Sequence, residues 1–213
     1  MKKVLEIGGF ISGAVLIIFG VAVIALAFNG KNTVNDSLKQ QQITGSADMT
    51  PAGIKDEAQK AGLTDAQVGS YPTCSVANKA ITSGSTARCF AQYMQIHALE
   101  ASGGLYYAQM GRYATKDGSP AGTNDATKAV MADGQPVANG ARNTWVTETA
   151  LTTALNVSYM ADQLALFSFV VGFALLLTGV GFVVLDFAAL HRRREATASE
   201  ATSKAITPKP VVA

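Results

Sequence analysis

Two uncharged runs dominate the hydrophobic pattern, one towards each end of the chain. Ile7–Phe28 and Leu164–Leu185 each extend over 22 residues without a charge. At about 1.5 Å per helical residue, that length matches the roughly 30 Å hydrocarbon core of a bilayer, so both runs predict membrane-spanning helices. The second is followed closely by His191-Arg192-Arg193-Arg194, and no Lys or Arg stands in the twenty residues before it. By the positive-inside rule Arg192, Arg193 and Arg194 orient that end towards the cytoplasm. Around the first run Lys2 and Lys3 are balanced by Lys31 and Lys39, so the second run sets the topology. The first run exceeds the roughly 7–15 residues of a signal-peptide core. Ala25-Leu26-Ala27 has the small-x-small form of a cleavage site, but the length favours an uncleaved helix. The expected order is a cytoplasmic N-terminus (1–6), a first span (7–28), an extracytoplasmic helical domain (29–163), a second span (164–190) and a disordered cytoplasmic tail (191–213).

The pattern between the spans is helical and interrupted. Lys31–Gln42 is polar and extends the first helix, and Gly45–Thr50 reads as a linker. Thr50-Pro51 is a helix start, with Thr as N-cap and Pro in the first turn. Ile54, Ala58 and Ala61 continue it as an apolar stripe, and Gly62 ends it. A short turn follows at Thr64-Asp65-Ala66-Gln67, then a loop over Gly69–Gly84. The clearest helix of the domain runs over Ser85–Ala101, with Ala87, Phe90, Ala91, Met94, Ala98 and Ala101 on one stripe. Gly103-Gly104 breaks it, and Leu105–Tyr113 resumes a helical pattern. Lys116–Gly140 is loop-like, with a short helix over Asp125–Ala132. From Asn143 a helix runs through Val146, Ala150, Leu151, Leu155 and Val157 into the second span, although five threonines between Thr144 and Thr153 lower its propensity. At about 1.5 Å per residue this carries Trp145 almost 30 Å from the membrane, which makes it a domain residue. The fold class predicted is all-α: two antiparallel transmembrane helices and a small helical domain stapled by one disulfide.

Small residues repeat in both spans. Gly9, Gly13 and Gly20 fall near one face of the first, and Ser168, Gly172 and Gly179 repeat the spacing in the second. In an antiparallel arrangement Gly13 meets the depth of Gly179 and Gly181, and Gly20 that of Gly172. Small residues at equal depth let backbones approach, which is what holds membrane helices together. They predict either an intramolecular pair or a face for another subunit.

Charge and cysteine change the picture little. Residues 29–163 carry ten Lys/Arg and eleven Asp/Glu, and the whole chain carries a formal net charge of +2, too little to indicate a nucleic-acid partner. The excess positive charge at the ends suits anionic lipid head groups. The only cysteines, Cys74 and Cys89, read as a disulfide formed in an oxidising compartment, with two unpaired thiols as the alternative. A zinc site of Cys74, Cys89 and His97 would lack a fourth ligand at a recognisable spacing. His97 and Glu100 are three apart and share a helix face, the geometry of metal ligands or of an acid–base pair. The plainer alternative is a packed histidine beside a solvated glutamate. No phosphate loop, nucleophile elbow, HExxH or CxxC is present. Neither uncharged run contains an acid, base or histidine, which argues against an ion path through this chain alone. No cofactor is implied.

Gly-Phe-Ile-Ser-Gly-Ala-Val-Leu-Ile at 9–17, Asp36-Ser37-Leu38-Lys39-Gln40, Asp48-Met49-Thr50-Pro51 and Arg88-Cys89-Phe90-Ala91-Gln92-Tyr93-Met94 with Ile96-His97-Ala98-Leu99-Glu100 resemble a family of small uncharacterised actinobacterial membrane proteins with two transmembrane helices. The resemblance covers almost the whole chain except the tail and implies a Gram-positive envelope. Some members carry an automatic label of aromatic ring-opening dioxygenase, chemistry that needs an iron site of histidines and carboxylates; the outer segment has one histidine.

The function expected from these features is that of a non-catalytic accessory or scaffolding subunit of a larger membrane complex, respiratory or cell-envelope. Its partners would be membrane lipids and other integral membrane subunits. The first alternative is an extracytoplasmic sensor or ligand-binding module, with Tyr106, Tyr107 and Trp145 lining a pocket. The second is an enzyme using His97 and Glu100.

Overall fold

The computed structural model describes the backbone of residues 2–206 and the side chains of residues 7–196. The chain is mostly helical. In order come α1 (Lys2–Gln40), α2 (Pro51–Lys60), α3 (Asp65–Val68), α4 (Gly84–Ala101), two 3₁₀ turns at Tyr107–Gln109 and Ala126–Lys128, the strands β1 (Met131–Ala132) and β2 (Gln135–Pro136), and α5 (Gly140–Ile206). The described residues fall into two compact units, Gly30–Leu164 and the segments on either side of it. α1 and α5 are each long and apolar enough to cross a membrane.

In the Gly30–Leu164 unit the helix starts follow from their caps. The Thr50 hydroxyl accepts from Gly53 N at 3.0 Å, and Pro51 opens α2 where its missing N–H costs nothing. Thr64 with Gln67 and Ser83 with Thr86 form reciprocal caps for α3 and α4. The core joins Ile54 and Ala58 of α2, Val68 of α3, Val76 and Ile81 of the loop, Phe90, Tyr93, Ile96 and Leu99 of α4 and Trp145 and Leu155 of α5. Burying each large apolar side chain contributes about 1.5–3 kcal/mol.

α4 is buried on more than the one stripe its periodicity suggests. Cys89, Tyr93, Ile96 and Leu99 are buried as well, whereas Ala101 is exposed. The helix is therefore central, walled by neighbours on several sides. Leu105–Tyr113 does not resume a helix beyond the Tyr107–Gln109 turn. Gly103 and Gly104 both take positive φ, which turns the chain out of the α4 axis, and Gly111 packs flat against Thr123. The short helix expected over Asp125–Ala132 is a single 3₁₀ turn, after which Met131–Ala132 pairs antiparallel with Gln135–Pro136. The Asp133-Gly134 corner supplies the two positive φ angles of that hairpin. The expected helical character holds, and among the described residues a hairpin of two-residue strands is added to it.

In the other unit, several glycines have no room for a side chain. A β-carbon at Gly13 would lie 2.9 Å from the Gly179 carbonyl oxygen, and one at Gly20 2.8 Å from that of Gly172. Gly181 faces open space, so Gly179 alone is the counterpart of Gly13. Gly9 lies against the Asp186 carboxylate, and Ser168 is half-buried. Phe28 meets Phe169 edge to face at 4.6 Å. Helix α5 continues through residues 191–206, where a disordered tail is expected. Alanines alternate there with polar residues and no proline intervenes before Pro208, so nothing stops the helix. Residues 207–213 of that tail lie outside the described residues.

Candidate functional site

Four ionisable side chains converge where α2 and α4 meet, and each is held by local structure. Asp48 precedes the N-cap of α2. Its segment is clamped by Met49, which is buried and whose carbonyl accepts from Val76 N at 3.2 Å and from the Ser75 hydroxyl at 3.2 Å. Gly53 lets that segment fold back on the first turn of α2, since a β-carbon there would lie 2.5 Å from the Asp48 carbonyl. Glu57 follows one turn along α2.

His97 and Glu100 come from α4, whose position is set by a ladder along one face: Cys89, Tyr93, His97, Glu100. Cys89 is joined to Cys74 by a disulfide. The Tyr93 hydroxyl donates to the Cys74 carbonyl at 2.6 Å. One turn further, His97 Nε2 lies 2.8 Å from Asp48 Oδ2 and 3.7 Å from Glu57 Oε2. Asp48 can only accept, so Nε2 carries the hydrogen of that bond. Side-chain exposure is 26% for His97, 20% for Asp48 and 42% for Glu57, so the cluster is partly sheltered yet open on one side.

Burial opposes ionisation of Asp48, but hydrogen bonds from Ser46, its own backbone and His97 outweigh it and hold the carboxyl below its usual range. Glu100 goes the other way. Burial raises its pKa, His97 partly offsets this, and the charges of Glu57 and Asp48 raise it further. Its Oε1 is buried without a hydrogen-bond partner. Among the described residues, no Lys or Arg comes within ion-pair distance of Asp48, Glu57 or Glu100; Lys60, the cation next along α2, pairs with Asp56.

Beside His97 a groove of about 510 Å³ runs between α4 and the first turns of α5, lined by Met94, Ala98, Asn143, Thr147, Glu148 and Leu151 among others. Glu148 is 6% exposed, and burial raises its pKa against hydrogen bonds from Thr152 and Thr149.

The remaining candidates are placed as follows. The disulfide removes Cys74 and Cys89 from any metal site with His97. Trp145 is buried, its Nε1 donating to Ser102 Oγ at 3.0 Å and to the Leu105 carbonyl at 2.8 Å. Tyr106 stacks on it with ring centroids 5.3 Å apart. Tyr107 and Trp145 line a shallow cavity of about 440 Å³ with Val146, Thr149, Ala150 and Thr153, and Tyr106 stands outside it. Arg192, Arg193 and Arg194 are exposed on α5. His97 and Glu100 are legible as a pair from their spacing; Asp48 and Glu57 are not, because 49 residues separate Asp48 from His97 and only tertiary packing joins them. The one local signal was the Asp48-Met49-Thr50-Pro51 helix start, which fixes where Asp48 stops.

A scan against protein-family models and searches of curated proteins and of solved structures find no match for this chain.

Proposed function

We propose that this protein is an accessory or scaffolding subunit of a larger membrane assembly, without catalysis of its own. In this proposal α1 and α5 cross the bilayer as an antiparallel pair closed on their glycines, both termini are cytoplasmic, and the disulfide-stapled domain stands outside. The observation that carries it lies on the stretch of α5 within that domain. Val146, Val157 and Met160 are 53%, 52% and 57% exposed. With Ala150 and Thr153, also exposed, they form a stripe spaced four, three, four and three residues apart. That is the repeat by which one helix receives another in a left-handed coiled coil. The cavity beside Trp145 opens at its head. An apolar stripe of this kind above a membrane span is suited to a helix of a neighbouring subunit.

The test is purification of the full chain in mild detergent from its native membrane, with the mass of the particle measured. A larger complex, reduced to the lone chain by Val157→Glu with Met160→Glu, is the expected result. Migration of the unaltered protein as a monomer would sink the proposal.

A second reading, a ligand-binding module, is favoured by the groove beside His97. There Met94 and Leu151 offer apolar walls, and Glu148 and Asn143 offer polar groups.

A further inference from the structure

We propose that Asp48, Glu57 and His97, joined by Glu100, form a binding site for a divalent first-row cation of the zinc class. The proposal rests on the outer domain alone and needs no partner subunit. One donor atom from each of Asp48, Glu57 and His97 lies within 4.8 Å of the others. A tetrahedral ion with bonds of about 2.0–2.2 Å spaces its ligand atoms by about 3.4 Å. The Nε2–Oε2 separation of 3.7 Å is already near that value; on binding, the hydrogen on Nε2 is released to solvent or replaced by one on Nδ1, and the 2.8 Å Nε2–Oδ2 contact opens by roughly half an ångström. Asp48 and Glu57 reach the site from a loop and a helix with rotatable side chains, so that adjustment needs no backbone movement.

Two observations set this apart from an ordinary histidine–aspartate hydrogen bond. Such a bond accounts for Asp48 and His97 only. It does not account for Glu57 Oε2 turning to the same imidazole nitrogen, nor for the buried Glu100 Oε1 that has no partner and lies within electrostatic reach of all three. Three carboxylates around one imidazole leave net negative charge even when the histidine is protonated, and no lysine or arginine side chain pairs with them among the described residues. Like charges gathered in a partly sheltered place cost free energy unless a cation joins them. A single divalent ion bonded to Asp48, Glu57 and a neutral His97 offsets the charges of the two carboxylates that hold it, and Glu100 is placed either as a fourth ligand or as an acceptor for a bound water.

The donor set selects the ion class. An imidazole with carboxylates suits zinc or manganese, whereas calcium and magnesium favour all-oxygen shells. Copper(I) and iron–sulfur chemistry would need thiolates, and both cysteines are in the disulfide. Direct contact with His97 puts the ion at the edge of the groove between α4 and α5.

The experiment uses the full-length, untagged protein in detergent, stripped with a chelator, and titrated with Zn²⁺, Mn²⁺ and Mg²⁺ by calorimetry. A His191→Ala background removes the other imidazole, which pairs with Glu195 at 3.4 Å and could take up zinc by itself. The expected result is one Zn²⁺ per chain, with Mg²⁺ bound far more weakly. Glu57→Gln is the decisive variant, because Glu57 is exposed enough to change without unfolding the domain. It should weaken Zn²⁺ binding by more than about tenfold, the lower end of what loss of even an outer-shell partner costs. Glu100→Gln should weaken it measurably in the same protein, and the disulfide and circular dichroism should be unchanged in both. Absence of Zn²⁺ uptake by the His191→Ala protein would overturn the proposal. So would unchanged affinity in the folded Glu57→Gln variant, since the ion would then sit elsewhere.

Discussion

Trp145 and Glu148 lie one turn apart on the inward face of α5, and both are held by polar contacts inside the core. The indole Nε1 is a donor to Ser102 Oγ and to the Leu105 carbonyl, and Ser102 itself is fully buried. Trp145→Phe keeps most of the apolar bulk and removes the donor, leaving a buried acceptor short of a partner. The expected cost is about 1–3 kcal/mol of domain stability, read by denaturant unfolding followed by circular dichroism. Glu148→Gln should act in the opposite direction and only above acidic pH. Burial raises the folded pKa of Glu148 above its ordinary 4.5. Between those two values the folded chain holds a proton that the unfolded chain has released, so stability falls as pH rises through that interval. The amide cannot titrate, so Glu148→Gln should flatten the decline between mildly acidic and neutral pH and be the more stable protein at neutral pH. The part due to Glu100, whose pKa is raised in the same sense, should remain. A decline as steep as in the unaltered protein would show that Glu148 is solvated. At this scale the sequence was informative about type and silent about company. Trp145 was legible as a domain residue from its height on the helix, and His97 and Glu100 as neighbours from their spacing. Nothing local told that Asp48 and Glu57 would meet them, because that meeting depends on how α2 docks on α4.

The helices were legible wherever a cap or a long periodic run announced them: Thr50-Pro51 for α2, Thr64 to Gln67 for α3, the stripe of α4, and the uninterrupted pattern of α5. Illegible elements were those whose form depends on backbone angles that only particular residues adopt, such as the Asp133-Gly134 hairpin and the turn after Gly103-Gly104. The disulfide illustrates how elements are locked together. It joins the Cys74 loop to α4 across 15 residues, and Tyr93 bonds the same loop one turn further on. Replacing both cysteines by serine frees that loop in the unfolded state and should cost about 3 kcal/mol. The loss should appear as a lower unfolding midpoint, with His97 and Asp48 displaced in proportion. An unchanged midpoint would mean that the Tyr93 bond alone fixes α4. The glycine contacts of the flanking unit make a separate prediction. With Cys74 and Cys89 left paired, Gly13→Cys and Gly179→Cys in one chain should crosslink within that chain under mild oxidation; a β-carbon at Gly179 would stand 2.7 Å from the Gly13 carbonyl oxygen, so the backbones must part slightly to admit the side chains and stay near enough for the sulfurs to meet. A product at the mass of two chains would assign these faces to a second subunit instead.

For the whole molecule the consequential question is which side of the membrane each segment occupies, because the disulfide, the cation cluster and the apolar stripe all belong to the Gly30–Leu164 unit. Arg192, Arg193 and Arg194 follow the second apolar run closely and are exposed on α5. Carrying an arginine through the centre of a bilayer costs about 2.5–3.5 kcal/mol on the insertion scale, so export of three together is strongly disfavoured. The first run has no such asymmetry, and in the proposed orientation it follows the second. The proposed orientation would place the Cys74–Cys89 bond in an oxidising compartment, where disulfides persist, and not in the cytosol, where they are reduced. A protease added to intact cells should therefore cut between Asn29 and Gln163, while a tag fused after Ala213 stays protected until the membrane is opened. Replacing all three arginines by glutamine should weaken that orientation and leave part of the population with the tag outside. If instead the central segment resists protease in intact cells while the tag is digested, the orientation is inverted. The domain would then sit in a reducing compartment, where the link from Cys74 to α4 would not persist and His97 would lose the support that brings it to Asp48.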